Sequence, residues 1–200
     1  DGYLHFMDVA SEIGARHLVV QLPDPDRSRA ADHLARLSEL ASDYGLTANL
    51  EFIPWTPTCD LAAAVDIVTR SAHPNAGILV DTLHFERSES SVSQLRVLSP
   101  GLFRLIQLCD APREVPRTNE GLIRAARAGR GLPGEAGIDL RPMVEALPRV
   151  PYSLEVPNEV MRNDLGDQTF VTRVLEASRR FLAASDERAA SDERAVSISR

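Results

Sequence analysis

The sequence predicts an α/β fold organised around a parallel sheet, and two features of the chain carry that prediction. Apolar runs of strand length alternate with longer stretches in which apolar residues recur at helical spacing. The short runs are largely apolar rather than apolar at every second residue, as expected for strands covered by helices on both faces. Five such strands with helices between them fit a doubly wound sheet or part of a (β/α)₈ barrel.

Residues 3–14 read as a helix, with Leu4, Met7, Val9 and Ile13 at roughly helical spacing and Gly14 as its stop. HLVVQL, residues 17–22, is a strand. Residues 27–44 form a helix with Leu34, Leu37, Leu40 and Ala41 on one face, ended by Gly45. LTANLEFI (46–53) is the next strand, followed by a helix over 60–71 capped by Thr58 or Asp60. GILVD (77–81) is a strand, and a helix over 90–97 stops at Ser99-Pro100-Gly101. LFRLIQLCD (102–110) is a strand, and 112–137 is long, polar and rich in Gly and Arg. A helix over 140–147 follows an Asp139 cap, then the strand YSLEV (152–156) and a long helix over 167–184. Residues 185–200 repeat Ser-Asp-Glu-Arg-Ala twice and offer little to bury, so they read as a frayed helix end or a low-complexity, disordered tail.

Composition narrows the function. A chain of 200 residues, 44% hydrophobic and 26% charged, suits one soluble domain with a sizeable core. A net charge of −7 argues against a nucleic-acid partner and against an anionic membrane surface. An anionic small molecule stays open as substrate, because a local cation can override the global charge. Cys59 and Cys109 do not form a CxxC pair, which speaks against a disulfide framework or a zinc ribbon. No run has transmembrane length and no basic-then-apolar leader opens the chain, so a cytoplasmic setting is the expectation.

Oxygen-bearing side chains recur at one end of the strands. LTANLEF closes near Glu51, GILVD ends in Asp81, FRLIQLCD carries Gln107 and then Asp110, and YSLEV carries Glu155. In an α/β barrel that end gathers the reactive groups. Three carboxylates and an amide oxygen make a hard site suited to Mg²⁺ or Mn²⁺. Without a cation the carboxylates would repel one another, and some would take up protons. Each residue also has an ordinary reading: Asp81 as the cap of a following helix, Gln107 as a buried amide, Arg113 and Arg130 as surface arginines.

The motifs LEF with Glu51, VDTLHF with Asp81 and His84, IQLCDAPRE with Gln107 and Arg113, RGLPGEAGID with Arg130, and SLEVPNE with Glu155 resemble the xylose isomerase-like (β/α)₈ superfamily. That superfamily includes sugar phosphate isomerases and epimerases, hydroxypyruvate isomerase, inosose dehydratase and one type of 3-dehydroshikimate dehydratase. The resemblance runs from about residue 3 to 183. It implies a metal held by Glu51, Asp81, Gln107 and Glu155, with His84, Arg113 and Arg130 contacting substrate. It also implies an isomerase or epimerase acting on a sugar, sugar phosphate or related keto or hydroxy acid through an enediolate, with Glu51 and Glu155 exchanging the proton. In the dehydratase alternative His84 is the base, and an inactive fragment or binding protein of the same fold is a further alternative. Gln107 in place of His is similar to the hydroxypyruvate isomerase and dehydroshikimate dehydratase branches, and the long insert before Glu155 is similar to the dehydratase branch. The family's compact Gly-x-Gly is here Gly134-Glu135-Ala136-Gly137.

If Glu51 lies on the fifth barrel strand, the chain opens inside the third helix, and the last five β/α units are present. The expectation is therefore a partial barrel over 1–184, incomplete at its N-terminal side, with the tail over 185–200. Such a sheet has two open edges, so self-association through them, or marginal stability, is expected.

Overall fold

The computed structural model describes residues 2–198, and side chains up to residue 186. Five strands lie side by side in chain order, each parallel to its neighbour: β1 (His17–Val20), β2 (Thr47–Glu51), β3 (Ala76–Asp81), β4 (Phe103–Leu108) and β5 (Tyr152–Leu154). Helices follow the strands and cover one face, as in half of an eight-stranded barrel. They are α1 (Gly2–Glu12), α2 (Arg27–Ser42), α3 (Leu61–Ser71), α4 (Thr82–Arg87), α5 (Val92–Val97), α6 (Asn119–Ala128), α7 (Leu140–Ala146), α8 (Glu159–Leu165) and α9 (Asp167–Ile198).

The pleat divides the strands into two faces. Leu18, Val20, Ala48, Leu50, Ala76, Ile78, Val80 and Ile106 are buried with Leu34, Ala41, Leu61 and Ile67 of α2 and α3. The opposite, concave face carries Val19, Asn49, Glu51, Asp81, Gln107 and Ser153, and part of it is open: Val19 is 47% exposed. A second core joins Leu83, Leu108, Leu132, Leu140 and Val156 to Val174 and Ala177 of α9.

A bulge sets the register that matters for the site. Ile78 pairs with Phe103, but Leu79 pairs with Leu105, leaving Arg104 as an extra residue in β4. Without it Asp81 would sit beside Ile106, which faces the helices. With it Asp81 sits beside Gln107. The crowding needs a glycine: a Cβ on Gly77 would lie 2.5 Å from Arg104 Cγ and 2.8 Å from Asn49 Oδ1.

Several local expectations are corrected. Helix α4 starts directly at the end of β3, with no loop between them, and α6 and α8 form where no helix was assigned. Asp60, not Thr58, caps α3, accepting from the Ala63 amide at 2.7 Å. Asp139 precedes α7 without a side-chain capping bond. Strand β5 ends at Leu154, so Glu155 lies just beyond it. Helix α9 continues past residue 184 to Ile198, while the side chains of 187–200 lie outside the described residues, and with them the packing of the expected tail.

Candidate metal centre

Asp81 divides its two oxygens between two tasks. It is the N-cap of α4: Oδ1 accepts from the amides of Leu83 (2.9 Å) and His84 (3.0 Å). Oδ2 faces the concave side, where Arg130 Nη1 donates to it at 2.5 Å. Capping thus fixes the carboxylate and leaves one oxygen for a cation. Helix α4, once started at Asp81, brings His84 round beside Glu51, with Nε2 at 3.8 Å from Oε1. Burial holds the His84 ring below its ordinary pKa against the pull of Asp81, so this is a contact of a neutral imidazole, not an ion pair. The Trp55 ring meets His84 edge-on at 5.2 Å, so Trp55 packs on the site.

Glu51, Asp81 and His84 each place a ligand atom within 4.8 Å of the others, and all three are buried. Gln21, at the end of the first strand run, donates to Glu51 Oε2 at 2.8 Å. Burial pushes the Glu51 carboxyl up to about 7; the Gln21 hydrogen bond opposes this, and Asp81 and Glu155 add to it. Burial also raises Glu155, against the pull of Arg130. For Glu51 the sign of the linkage is fixed. Between its ordinary value and about 7 the folded chain holds a proton that the unfolded chain releases, so this group's contribution to stability falls as pH rises through that window.

Two of the oxygens assigned from sequence lack partners. Gln107 Oε1 and Glu155 Oε2 are buried with no hydrogen-bond partner among the described residues, as is His84 Nδ1. A buried acceptor without a donor costs roughly 1–3 kcal/mol. Carboxylates crowded near such acceptors are the donor set a divalent ion relieves, so the residues fit the group.

The sequence-assigned residues do not all meet. Glu51, Asp81 and His84 form the tight cluster, and Gln107 stands beside Asp81 on the neighbouring strand. Glu155 is joined to Asp81 through Arg130, whose Nη2 lies 3.5 Å from Glu155 Oε1. Arg130 is 2% exposed, so it is no surface arginine. Arg113 is exposed on the loop after β4 and makes no ion pair or side-chain hydrogen bond among the described residues. Two contributors were not anticipated. Gln21 was legible as a polar residue closing an apolar run. Asp110 was legible as an acid after a strand, but its role was not: its buried carboxylate accepts from five amides, those of Ala111, Gly134, Ala136, Gly137 and Ile138, at 2.7–3.1 Å. It thereby builds the 131–138 loop, where Gly134 has φ +79° and a Cβ on Gly137 would lie 2.4 Å from the Arg113 amide.

Comparison with known proteins agrees with this architecture. Residues 2–183 match the family model described as xylose isomerase-like TIM barrel. An inosose isomerase of Bacillus velezensis is 25% identical over 169 residues, 78% of this chain and 57% of that protein, so the match spans little more than half of that relative. A 3-dehydroshikimate dehydratase of Pseudomonas aeruginosa is 29% identical over 66% of this chain and 21% of its own length. Among solved structures, the IOLI protein with a bound zinc atom superposes with a TM-score of 0.75 at 18% identity, covering 92% of this chain and 67% of that one. Five parallel strands in chain order, helices after them and a family match across nearly the whole described chain agree: the protein belongs to the xylose isomerase-like TIM barrel family.

Proposed function

We propose that this chain carries the metal-binding half of a divalent-metal-dependent isomerase or epimerase acting on a sugar, sugar phosphate or related keto or hydroxy acid. One observation carries the reading: Glu51, Asp81 and His84 converge at one end of a parallel half-barrel, where Gln107 on the neighbouring strand and Glu155 just past β5 each keep a buried oxygen without a partner among the described residues. An oxygen-rich set of three carboxylates and an amide suits Mg²⁺ or Mn²⁺, and the zinc of the IOLI protein belongs to a structural neighbour with the same fold. A bound divalent ion supplies Lewis acidity toward a substrate carbonyl and an adjacent hydroxyl.

The remaining chemistry falls to side chains. A base must be ionised to take a proton, and Glu51, which burial holds protonated up to about pH 7, is ionised above that pH and whenever a cation ligates it. Glu51 removes the proton next to the carbonyl, giving an enediolate, and Glu155, on the far side of β3 and β4, returns it. Neutral His84 orients a substrate oxygen, with Arg113 at the rim. A dehydratase is the second reading, favoured by the long insert before Glu155 and by the dehydratase relative; His84 then takes the proton and a β-hydroxyl leaves.

Solvent exchange tests the shared first step. With Mn²⁺, and ketosugars, an inosose or dehydroshikimate in D₂O, deuterium should enter the substrate carbon next to the carbonyl. Glu155→Gln should lower turnover roughly a hundredfold or more while the melting temperature barely moves. Full turnover in a folded Glu155→Gln protein would remove that residue from the mechanism.

Metal affinity should also follow pH. Glu51 must lose its proton to ligate, so the apparent Mn²⁺ affinity should fall roughly tenfold per unit below about pH 7 and level off above it. Calorimetry across about pH 5.5 to 8 reads this directly, and a flat profile would take Glu51 out of the coordination. The reading extends to self-association through the edges of β1 and β5, each of which has one strand neighbour. α1 supports it by exposing Tyr3 (72%) and Phe6 (58%) beside Leu18, Val19 and Val20 of β1. Light scattering that finds only monomer at every concentration would refute it.

A further inference from the structure

We propose that Arg130 is the resident cation of this site, that a divalent metal displaces it from Asp81, and that this frees its guanidinium for an anionic group of the substrate. The inference rests on the metal-site reading above and adds an order of events to it: metal first, anion second.

The two oxygens of Asp81 are not equivalent. Oδ1 is committed to the α4 cap by two amide hydrogen bonds. Only Oδ2 can ligate, and Arg130 Nη1 already holds it at 2.5 Å. The other arm of the fork, Nη2, lies 3.5 Å from Glu155 Oε1. One guanidinium therefore bridges acids from β3 and from just beyond β5, across β4, the span a metal would close. A metal on Asp81 Oδ2 and a guanidinium on the same oxygen are like charges a few ångströms apart in a buried setting, where their repulsion is only weakly screened.

Arg130 satisfies this site incompletely. With Arg130 in place, Gln107 Oε1 and Glu155 Oε2 still have no partner among the described residues. A cation that collects all of these oxygens gains contacts the planar fork cannot make. Arg130 is also set up to move without unfolding. Its Nε donates to the Ala126 carbonyl at the end of α6 (2.9 Å), and its own carbonyl accepts from Asn158 Nδ2 (2.9 Å). Gly131 next to it is tied to Asp110 by two backbone hydrogen bonds. The backbone on either side stays tied, and because the guanidinium is one rigid plane it leaves Asp81 as a unit, by turning about the side-chain torsions and giving up the Nε bond to Ala126. A guanidinium released from Asp81 is buried and needs a new anion, and its fork matches a carboxylate or phosphate.

The test is Mn²⁺ calorimetry on the full chain and on Arg130→Met, with thermal melts of each without and with Mn²⁺. Competing ligands of one site commonly couple by about 1–3 kcal/mol, roughly 5- to 150-fold. Arg130→Met should bind Mn²⁺ roughly tenfold or more tightly, melt lower without metal, and gain more from Mn²⁺ than the parent. Arg130→Lys keeps the charge but lacks the planar two-armed fork that reaches both acids, so its Mn²⁺ affinity should lie between the two; it carries the test if Arg130→Met does not fold. Equal or weaker Mn²⁺ binding by a folded variant overturns the displacement. Binding by the variants but not by the parent supports it in its strongest form. No Mn²⁺ binding by any folded protein of the set overturns the metal-site reading itself, and the displacement with it.

Discussion

Replacing Asp81 with Ala destabilises the metal-free protein by about 3–5 kcal/mol, the usual cost of removing one partner from a buried ion pair. The loss comes mainly from Arg130, left charged at 2% exposure with only Glu155 at 3.5 Å. Burial alone would weaken the charge on Arg130, and Asp81 more than offsets it, so removing Asp81 takes away the compensation. Asp81→Asn separates the two tasks of this residue. Asn is a good N-cap and keeps the bonds to Leu83 and His84, so it should recover about 1 kcal/mol of the loss. Adding Arg130→Met to Asp81→Asn should recover most of the remainder, because a pair removed whole leaves no stranded charge. Urea denaturation of the four proteins measures this. An Asp81→Asn protein within about 0.5 kcal/mol of the parent would mean that the pair does not carry the charge balance described.

Asp110→Ala comes next in size, at about 3 kcal/mol, since a hydrogen bond to a charged group contributes roughly 1.5–3 kcal/mol and this carboxylate accepts five. The bonds do not add, because Gly134 and Ala136 lie on an exposed loop where water can replace the acceptor. The effect should concentrate in the 131–138 loop, with faster amide exchange at Gly134, Ala136 and Gly137 than in the sheet. Asp110→Asn should rescue little, because its NH₂ turns donors toward donors. Unchanged exchange in the loop of a folded Asp110→Ala protein would contradict the anchoring role.

Much of the site was legible because polar residues interrupt apolar runs. Asp81 ends GILVD, Glu51 closes a buried strand and Gln107 breaks an apolar one, and these breaks mark the strand ends without any knowledge of contacts. What stayed hidden depends on distant partners. The bulge at Arg104, which brings Asp81 beside Gln107, arises from packing against Gly77 and Asn49 and leaves no mark in periodicity. Asp110 was visible as an acid after a strand, but its acceptor role comes from backbone amides 24–28 residues on, which any side chain could supply. Arg130 stood out through the RGLPGEAGID motif, but its partner Asp81 lies 49 residues away, so the ion pair itself leaves no local mark. Helix α4 was legible only as the helix that Asp81 could cap, because it is six residues long and begins directly after the residue that ends the strand.

The central claim is that four adjacent strands hold one divalent ion, and Mn²⁺ titration of the chain and of Glu51→Gln tests it most directly. Glu51 keeps a proton up to about pH 7, so Gln is close to its protonated form and can still accept from Gln21, leaving the fold intact. The expected result near pH 8 is one Mn²⁺ per parent chain, with binding weakened roughly a hundredfold or more in Glu51→Gln, beyond the 10- to 100-fold typical of losing a mere supporting partner. A folded parent that takes up no Mn²⁺, or a Glu51→Gln protein that binds it as tightly as the parent, would contradict the account.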